Sequence, residues 1–117
     1  MKILVVDDEQ LVRWFLDRAL KKSGHEVITA SNISEAYEKL TREKVDILFM
    51  DLRMPDGSGR DLIDKIANLT LKPEVVVCSA FITPEMEQEF RNDGISILKK
   101  PFTLDELNRV VQQCIDG

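Results

Sequence analysis

The feature that most constrains the fold is a continuous apolar run that ends in an aspartate. The segment Ile47 to Met50 leads directly into Asp51, and a proline follows at Pro55. An unbroken run of this length predicts a strand buried on both faces, although periodicity alone also permits a buried helix. In open α/β sheets, ligands bind at the carboxyl ends of the strands, which is where Asp51 stands. Aspartate is also common in turns and helix caps, so this segment alone leaves such a role open.

Apolar segments and amphipathic segments alternate along the rest of the chain. The predicted strands are Lys2 to Val6, Glu26 to Ala30, Asp46 to Met50, Glu74 to Cys78 and Ile95 to Leu98. Helices are predicted to start at Gln10, after the cap Asn32, after the turn Asp56 to Gly59, after the cap Thr83 with Pro84 behind it, and after the cap Thr103. The first helix should end at Lys22, because Ser23 and Gly24 follow it.

Two of these helices have wide apolar faces that we expect to pack inward. On the first helix the face is Leu11, Val12, Phe15, Leu16, Ala19 and Leu20. On the last helix it is Leu104, Leu107, Val111, Cys114 and Ile115. Trp14 lies about 160° from the centre of the first face at ~100° per residue, so we expect it to be exposed.

The alternation of five strands and five helices predicts the fold class. Short connections between them favour a parallel sheet with helices on both faces, built from residues 1–117 as one domain. Right-handed crossovers bring the carboxyl ends of all strands to one edge. The chain is therefore predicted to be a doubly wound α/β protein.

Five polar side chains follow the predicted strands at that edge. They are Asp7 and Asp8 after the first strand, Asp51, Ser79 and Lys100. Two carboxylates ~5 Å apart repel by about 3 kcal/mol at an effective dielectric of ~20, so the site must take up protons or a cation. Carboxylate and water ligands suit Mg²⁺, which also binds phosphoryl groups. An aspartate could then act as the nucleophile and form an acyl phosphate.

Composition excludes several other classes of protein. The net charge is −5 with no basic run, which argues against direct nucleic-acid binding. No apolar stretch approaches the ~20 residues that span a bilayer, so neither membrane insertion nor a signal peptide is expected and the protein is predicted to be cytoplasmic. Cys78 and Cys114 lack metal-ligand spacing and are predicted to be buried free thiols.

These motifs together resemble the receiver domain of two-component response regulators over nearly the whole chain. The acidic pair is Asp7-Asp8, the phosphoacceptor segment begins at Asp51, the Thr/Ser switch position is Ser79, and the invariant lysine is Lys100, which precedes Pro101. The resemblance implies a flavodoxin-like sheet of order 2-1-3-4-5. It also implies a cis peptide before the proline and phosphotransfer from a histidine kinase.

The resemblance further implies specific roles for the site residues. Mg²⁺ would be held by Asp8, Asp51 and the backbone carbonyl of Arg53, while Asp7 would act largely through a bound water. Such a domain is not an enzyme acting on a separate substrate, but it catalyses its own phosphorylation and dephosphorylation. Phosphorylation would switch contacts with a target or a downstream output domain, or a homodimer through helix four, strand five and helix five.

The output suggested by the resemblance is transcriptional regulation. Arg13-Trp14 with Arg18-Ala19-Leu20 is similar to receivers of the nitrogen-regulatory, enhancer-binding type, which carry further domains downstream. The chain ends just after the fifth predicted helix, which fits either a single-domain regulator or a receiver from a longer protein. One departure is Ile97, which stands where the family usually has an aromatic switch residue, and we expect it to be strand core.

Three other functions share parts of this pattern. A flavin-binding module has this fold but needs a phosphate-cradling loop after the first strand, where this chain has Asp7-Asp8-Glu9. A haloacid-dehalogenase-type phosphatase would place its nucleophile after the first strand with a second aspartate two residues later. A degenerate, non-phosphorylated receiver usually lacks one of the five site residues, and this chain has all five.

Overall fold

Strands and helices alternate from end to end in the computed structural model, which describes residues 1–116. The strands are Lys2–Val6 (β1), Glu26–Ala30 (β2), Ile47–Met50 (β3), Arg53–Met54 (β4), Gly57–Ser58 (β5), Glu74–Ser79 (β6) and Ser96–Lys99 (β7). The helices are Gln10–Lys22 (α1), Ile33–Arg42 (α2), Gly59–Ile66 (α3), Pro84–Asn92 (α4) and Leu104–Asp116 (α5). Within this described part of the chain, none of the helices has the length and apolar character that crossing a bilayer requires.

Five parallel strands form one sheet in the order β2-β1-β3-β6-β7. The strands β4 and β5 form a separate antiparallel hairpin, so the order of the five predicted strands is 2-1-3-4-5 and the flavodoxin-like fold is confirmed. The register pairs Val6 with Met50, and Met50 with Val77. The carboxyl ends of the three central strands therefore lie side by side.

The predicted buried strand is confirmed, because no residue of β3 is more than 1% exposed. Its side chains alternate between two cores. Leu48 and Met50 pack on the side of the sheet that α2, α3 and α4 cover, whereas Ile47 and Phe49 pack on the side covered by α1 and α5. Burial on both faces fixes the register of β3, since a one-residue slip would exchange the two sets. The position of Asp51 at the end of β3 follows from that register.

Side-chain caps set the starts of three helices where the sequence placed them. The oxygen of Asn32 accepts the Glu35 backbone N–H at 2.8 Å, and that of Thr83 accepts the Met86 N–H at 3.2 Å. Thr103 and Glu106 form a capping box. The Thr103 hydroxyl oxygen accepts the Glu106 backbone N–H, and the Glu106 carboxylate accepts the Thr103 backbone N–H, both at 3.1 Å. Such caps satisfy backbone donors that have no partner within the helix.

The segment after β3, where a turn is expected at positions 56–59, also contains the short strands β4 and β5. It is an ordered hairpin, tied to α2 by Asp56, whose carboxylate accepts the backbone N–H groups of Ile33 at 2.9 Å and Ser34 at 3.0 Å. These backbone hydrogen bonds hold the pKa of Asp56 below its usual value. Ser58 then caps α3 in a capping box with Asp61. The hairpin is therefore a fixed connection between β3 and α3.

The expected core faces of α1 and α5 are partly wrong. Leu11 and Phe15 are 79% and 39% exposed, and on α5 Leu104 and Ile115 are 51% and 41% exposed. The buried line of α1 runs through Leu16 and Leu20, and at ~100° per residue Leu11 and Phe15 lie more than about 100° from it. The sheet thus covers a narrower stripe of each helix than the apolar pattern suggests.

Two further expectations on these helices have clear outcomes. Val110, which the predicted face of α5 omitted, is buried at 9% exposure. Trp14 is 57% exposed, which confirms its predicted exposure.

Gly59 is required by a close approach to the backbone that carries Asp51. A Cβ at this position would lie 2.6 Å from the Asp51 carbonyl oxygen and 2.3 Å from Cε of Met50. We predict that Gly59→Ala lowers the free energy of unfolding by about 1–3 kcal/mol, because the backbone of Asp51 must shift. Denaturant unfolding would measure the loss, and Lys65→Ala on the exposed side of α3 is the control. A change in Gly59→Ala no larger than that of the control would contradict the prediction.

Candidate functional site

Four strands deliver polar side chains to one edge of the sheet. Asp7 follows β1, Asp51 follows β3, Ser79 ends β6 and Lys100 follows β7. The first three are 1%, 8% and 3% exposed and are the buried polar or charged residues of the described chain. Buried charges require partners, because their removal from water is costly. The burial of these polar residues together indicates a functional site at this edge.

The ammonium of Lys100 joins the two buried carboxylates. Its Nζ lies 2.8 Å from Oδ2 of Asp7 and 2.8 Å from Oδ2 of Asp51. Burial by itself lowers the pKa of Lys100, but the hydrogen bonds to Asp51 and Asp7 outweigh it and raise the pKa above that of an ordinary lysine. Lys99 instead pairs with Glu87 at 3.2 Å, so the lysine beside the proline is the one in the site.

Backbone and side-chain bonds hold the two carboxylates in place. Oδ1 of Asp7 accepts the Glu9 N–H at 2.9 Å, and its carbonyl oxygen accepts a bond from Nη1 of Arg13 at 2.5 Å. Oδ1 of Asp51 accepts the Arg53 N–H at 3.1 Å. Each carboxylate therefore uses one oxygen for the local backbone and the other for Lys100.

A group of three carboxylates gathers within this site. One oxygen from each of Asp7, Glu9 and Asp51 lies within 4.8 Å of the others. Asp8 is exposed and is not a member of this group. An all-oxygen, anionic donor set fits a hard cation such as Mg²⁺. Sequence reasoning did not count Glu9 among the ligands, although its place directly after the acidic pair was a usable signal.

Ser79 offers a hydroxyl at the same edge. Its Oγ accepts the Phe81 backbone N–H at 3.2 Å, which leaves the hydroxyl proton free for another acceptor. Its carbonyl oxygen accepts the Lys100 N–H at 3.0 Å, so the two residues are tied together. The peptide bond between Lys100 and Pro101 is cis, as the resemblance implied.

An exposed pair of side chains borders the site. The guanidinium carbon of Arg53 lies 4.5 Å from the centroid of the Phe81 ring, and Phe81 is 65% exposed. A cation above an aromatic face is an attractive contact. Ile97, in contrast, is half-buried against the core, which confirms its expected packing role.

The two thiols take no part in this chemistry. Cys78 and Cys114 are buried and free, as predicted. Burial raises the pKa of both thiols, so each stays protonated near neutral pH. A neutral thiol is a poor nucleophile and a poor metal ligand.

Comparison with known proteins identifies the family. The family model described as "Response regulator receiver domain" matches residues 3–112. The sensory transduction protein LytR of Staphylococcus haemolyticus is 38% identical over 97% of this chain and 44% of its own length. The DNA-binding transcriptional regulator NtrC of Azospirillum brasilense is 35% identical over 98% of this chain and 24% of its own length.

A solved structure of a response regulator has the same fold as this chain. The two-component response regulator from Clostridium difficile is 27% identical and superposes with a TM-score of 0.90, covering 99% of this chain and 96% of that one. The chain spans less than half the length of the two curated relatives named. Its fold, its acidic edge and the family match agree, and the chain belongs to the family of response regulator receiver domains.

Proposed function

We propose that residues 1–117 form one receiver domain in which Asp51 accepts a phosphoryl group from a histidine kinase. The observation that carries the proposal is the bridge from Lys100 to both Asp7 and Asp51, each at 2.8 Å. A carboxylate oxygen of Asp51 attacks phosphorus, the bond from phosphorus to the kinase imidazole nitrogen breaks, and an acyl phosphate forms. The chain acts on its own carboxylate, so it is a signalling domain rather than an enzyme with a separate substrate.

The residues at the edge have distinct roles in this transfer. Lys100 supplies a fixed positive charge beside the carboxylate that gains the phosphoryl group, and its raised pKa keeps it charged at neutral pH. The Ser79 hydroxyl has a free proton to donate to a phosphoryl oxygen. Preorganised charges and donors of this kind lower the barrier without moving during the reaction.

The acidic residues are proposed to hold Mg²⁺. Asp8, Asp51 and the carbonyl oxygen of Arg53 would be its ligands, with Asp7 acting through water, and the three-carboxylate group makes Glu9 an additional candidate. When bound, Mg²⁺ neutralises charge on the transferring phosphoryl group. The chain's own contribution is to hold these oxygens at one place, through bonds such as that from the Glu9 N–H to Asp7.

Two of the three alternative functions conflict with a specific feature of the site, and an experiment distinguishes the third. A flavin phosphate would meet the buried carboxylate of Asp7 where such modules present backbone donors. A dehalogenase-type phosphatase would place its nucleophile after β1 and a second aspartate two residues later, but the residue two positions after Asp7 is Glu9. A receiver that binds without being phosphorylated differs only in its chemistry, and the phosphorylation experiment below distinguishes it.

The output is proposed to pass through the face formed by α4, β7 and α5. A groove of about 510 Å³ lies there, lined by charged side chains that include Glu87, Arg91, Lys99, Glu106 and Arg109. Alternating charges suit a polar, reversible contact with a target, an output domain or a second phosphorylated copy. We propose that this contact serves transcriptional regulation in the cytoplasm, with output domains of the nitrogen-regulatory type as its partners.

Phosphorylation of Asp51 is the first testable consequence. With acetyl phosphate and Mg²⁺, the mass of the protein should rise by one phosphoryl group, because Lys100 holds the Asp51 carboxylate in place at 2.8 Å. Intact-mass spectrometry would measure the adduct, and Asp51→Asn should remain unmodified. An adduct that persists in Asp51→Asn, or its absence in the parent protein, would remove the assignment.

Metal binding provides a second test. Asp8→Ala should weaken Mg²⁺ binding by at least about tenfold. Loss of a residue that only supports a metal ligand lowers metal affinity by ~10–100-fold, and loss of a direct ligand should lower it at least as much. Lys100→Ala should leave Mg²⁺ affinity nearly unchanged while slowing phosphorylation. Titration calorimetry measures the Mg²⁺ affinity of both variants. The same measurement on Glu9→Gln reports whether Glu9 is a ligand. Unchanged affinity in Asp8→Ala would refute its role.

The Arg53–Phe81 pair is proposed to prolong the phosphorylated state. Neither side chain can act as a base toward water, and their contact at 4.5 Å borders the approach to Asp51. Phosphate release after donor removal, at fixed excess Mg²⁺, should be faster in Phe81→Ala and Arg53→Asn than in the parent. Leu71→Ala, which removes an exposed apolar side chain elsewhere, is the control. Equal or slower release in both variants would exclude shielding.

A further inference from the structure

The turn of the β4–β5 hairpin is bonded to a helix that is remote in sequence. Asp56 lies in this turn, and its two carboxylate oxygens accept the backbone N–H groups of Ile33 at 2.9 Å and Ser34 at 3.0 Å. These are the first two residues of α2, so the carboxylate also faces the positive end of the helix dipole. One side chain of the hairpin thus completes the start of a separate element.

Two side chains share the capping of α2. The side chain of Asn32, which precedes the helix, accepts the Glu35 N–H at 2.8 Å. The N–H groups of Ile33 and Ser34 have no acceptor within the helix, as at any helix start, and Asp56 supplies both acceptors. The start of α2 is itself held by packing, because Ile33 is buried in the core. Asp56 is therefore bonded to an element whose position the core fixes.

The base of the same hairpin lies at the acidic edge. The Arg53 backbone N–H donates to Oδ1 of Asp51 at 3.1 Å, and the Gly59 N–H closes the hairpin on the Leu52 carbonyl oxygen at 2.8 Å. Only two residues stand between Arg53 and Asp56, and the strands that join them are hydrogen-bonded to each other. The position of Asp56 therefore bears directly on that of the Arg53 carbonyl oxygen.

The residue after Asp56 fits a close approach of the hairpin to α2. Gly57 has a φ of +149°, which favours glycine, and a Cβ there would lie 3.2 Å from Cδ1 of Ile33. The same Cβ would lie 3.2 Å from a carboxylate oxygen of Asp61. The backbone of the hairpin thus packs directly on the first residue of α2, beside the two hydrogen bonds from Asp56.

We propose that Asp56 is a positioning residue for the Mg²⁺ site, because it holds the hairpin that carries Arg53 against α2. This inference rests on the proposed function, in which the Arg53 carbonyl oxygen is a ligand. Asp56 does not belong to the group of three carboxylates, so its effect on the metal passes through the hairpin. Coupling between two sites is reciprocal, and Mg²⁺ should in turn strengthen the bonds that Ile33 and Ser34 donate to Asp56.

Mg²⁺ affinity, measured by titration calorimetry, is the first test. Asp56→Ala should weaken binding by about tenfold, the lower end of the ~10–100-fold range for residues that support a metal ligand. Asn32→Ala is the matched control, because it also removes a side-chain cap from the start of α2 but leaves the hairpin bonds intact. Its affinity should equal that of the parent protein. Asp56→Asn keeps one side-chain acceptor oxygen and should restore part of the affinity that Asp56→Ala loses.

Amide hydrogen exchange, followed by NMR, measures the coupling directly. In the parent protein and in Asn32→Ala, Mg²⁺ should slow exchange of the Ile33 and Ser34 N–H groups. In Asp56→Ala this effect of Mg²⁺ should disappear. Without metal, the Arg53 N–H should exchange faster in Asp56→Ala than in Asn32→Ala, because the hairpin that places it is released from α2.

The outcomes separate this inference from the proposed function. A parent protein that does not bind Mg²⁺ overturns the metal site and the positioning role together. If the parent binds Mg²⁺, equal affinities in Asp56→Ala and Asn32→Ala overturn the positioning role alone. Exchange of Ile33 and Ser34 that does not respond to bound Mg²⁺ in the parent overturns it as well. Should Asp56→Ala fail to fold, Asp56→Asn and the exchange of the parent protein decide by the same criteria.

Discussion

The structure depends on the placement of one ammonium group between two buried carboxylates. Asp7 and Asp51 end neighbouring strands of a parallel sheet and are almost entirely removed from water, and Lys100 lies 2.8 Å from both. Two unpaired carboxylates at ~5 Å would repel by about 3 kcal/mol at an effective dielectric of ~20, apart from the cost of burying each. A third charge of opposite sign converts this repulsion into a stable arrangement. The arrangement retains an excess of negative charge, which favours a cation.

The rest of the fold holds that arrangement in register. The four apolar residues of β3 are locked between two cores, so the end of the strand cannot slide. Gly59 allows α3 to begin directly against the backbone of Asp51, and Asp56 ties the intervening hairpin to α2. These contacts are spread over distant parts of the chain. Each of the two buried carboxylates is held both by the strand that it follows and by a hydrogen bond from a loop N–H.

The two sides of the sheet are covered by different helices and differ in how much of those helices is buried. On one side α2, α3 and α4 cover the sheet, and Arg60 of α3 approaches Glu89 of α4 and Asp93 just after it at 3.6 and 3.4 Å. Ion pairs this exposed contribute little stability and are screened by salt. On the other side α1 and α5 bury only a narrow stripe. Their outer faces keep apolar side chains that the monomer does not use.

Local pattern alone determined much of this protein. The apolar run before Asp51, the caps at Asn32, Thr83 and Thr103 and the alternation of elements predicted a five-stranded parallel sheet, because these signals lie within a few residues of each other. The order of the strands was implied only by the family resemblance. The family resemblance singled out Lys100, which precedes Pro101, and in the structure its ammonium lies against Asp7 and Asp51 whereas Lys99 pairs with Glu87. Parallel topology then required the strand ends to meet at one edge.

Tertiary structure decided the remaining features, which depend on distances between segments remote in sequence. The anchoring of Asp56 on α2 has no local signal, because it joins two loops that meet only on folding. The place of Glu9 after the acidic pair was a signal, but its distance from Asp51 depends on the packing of two strands. The apolar width of α1 overstated its burial, since periodicity records which residues share a face and not how much of that face the sheet covers. Leu11 and Phe15 lie on the part of the apolar face that the sheet does not cover, and they are therefore exposed. The sequence alone therefore determined that Asp7, Asp51, Ser79 and Lys100 reach one edge, and the packed structure determined their spacing, the nearness of Glu9 and which surfaces stay open.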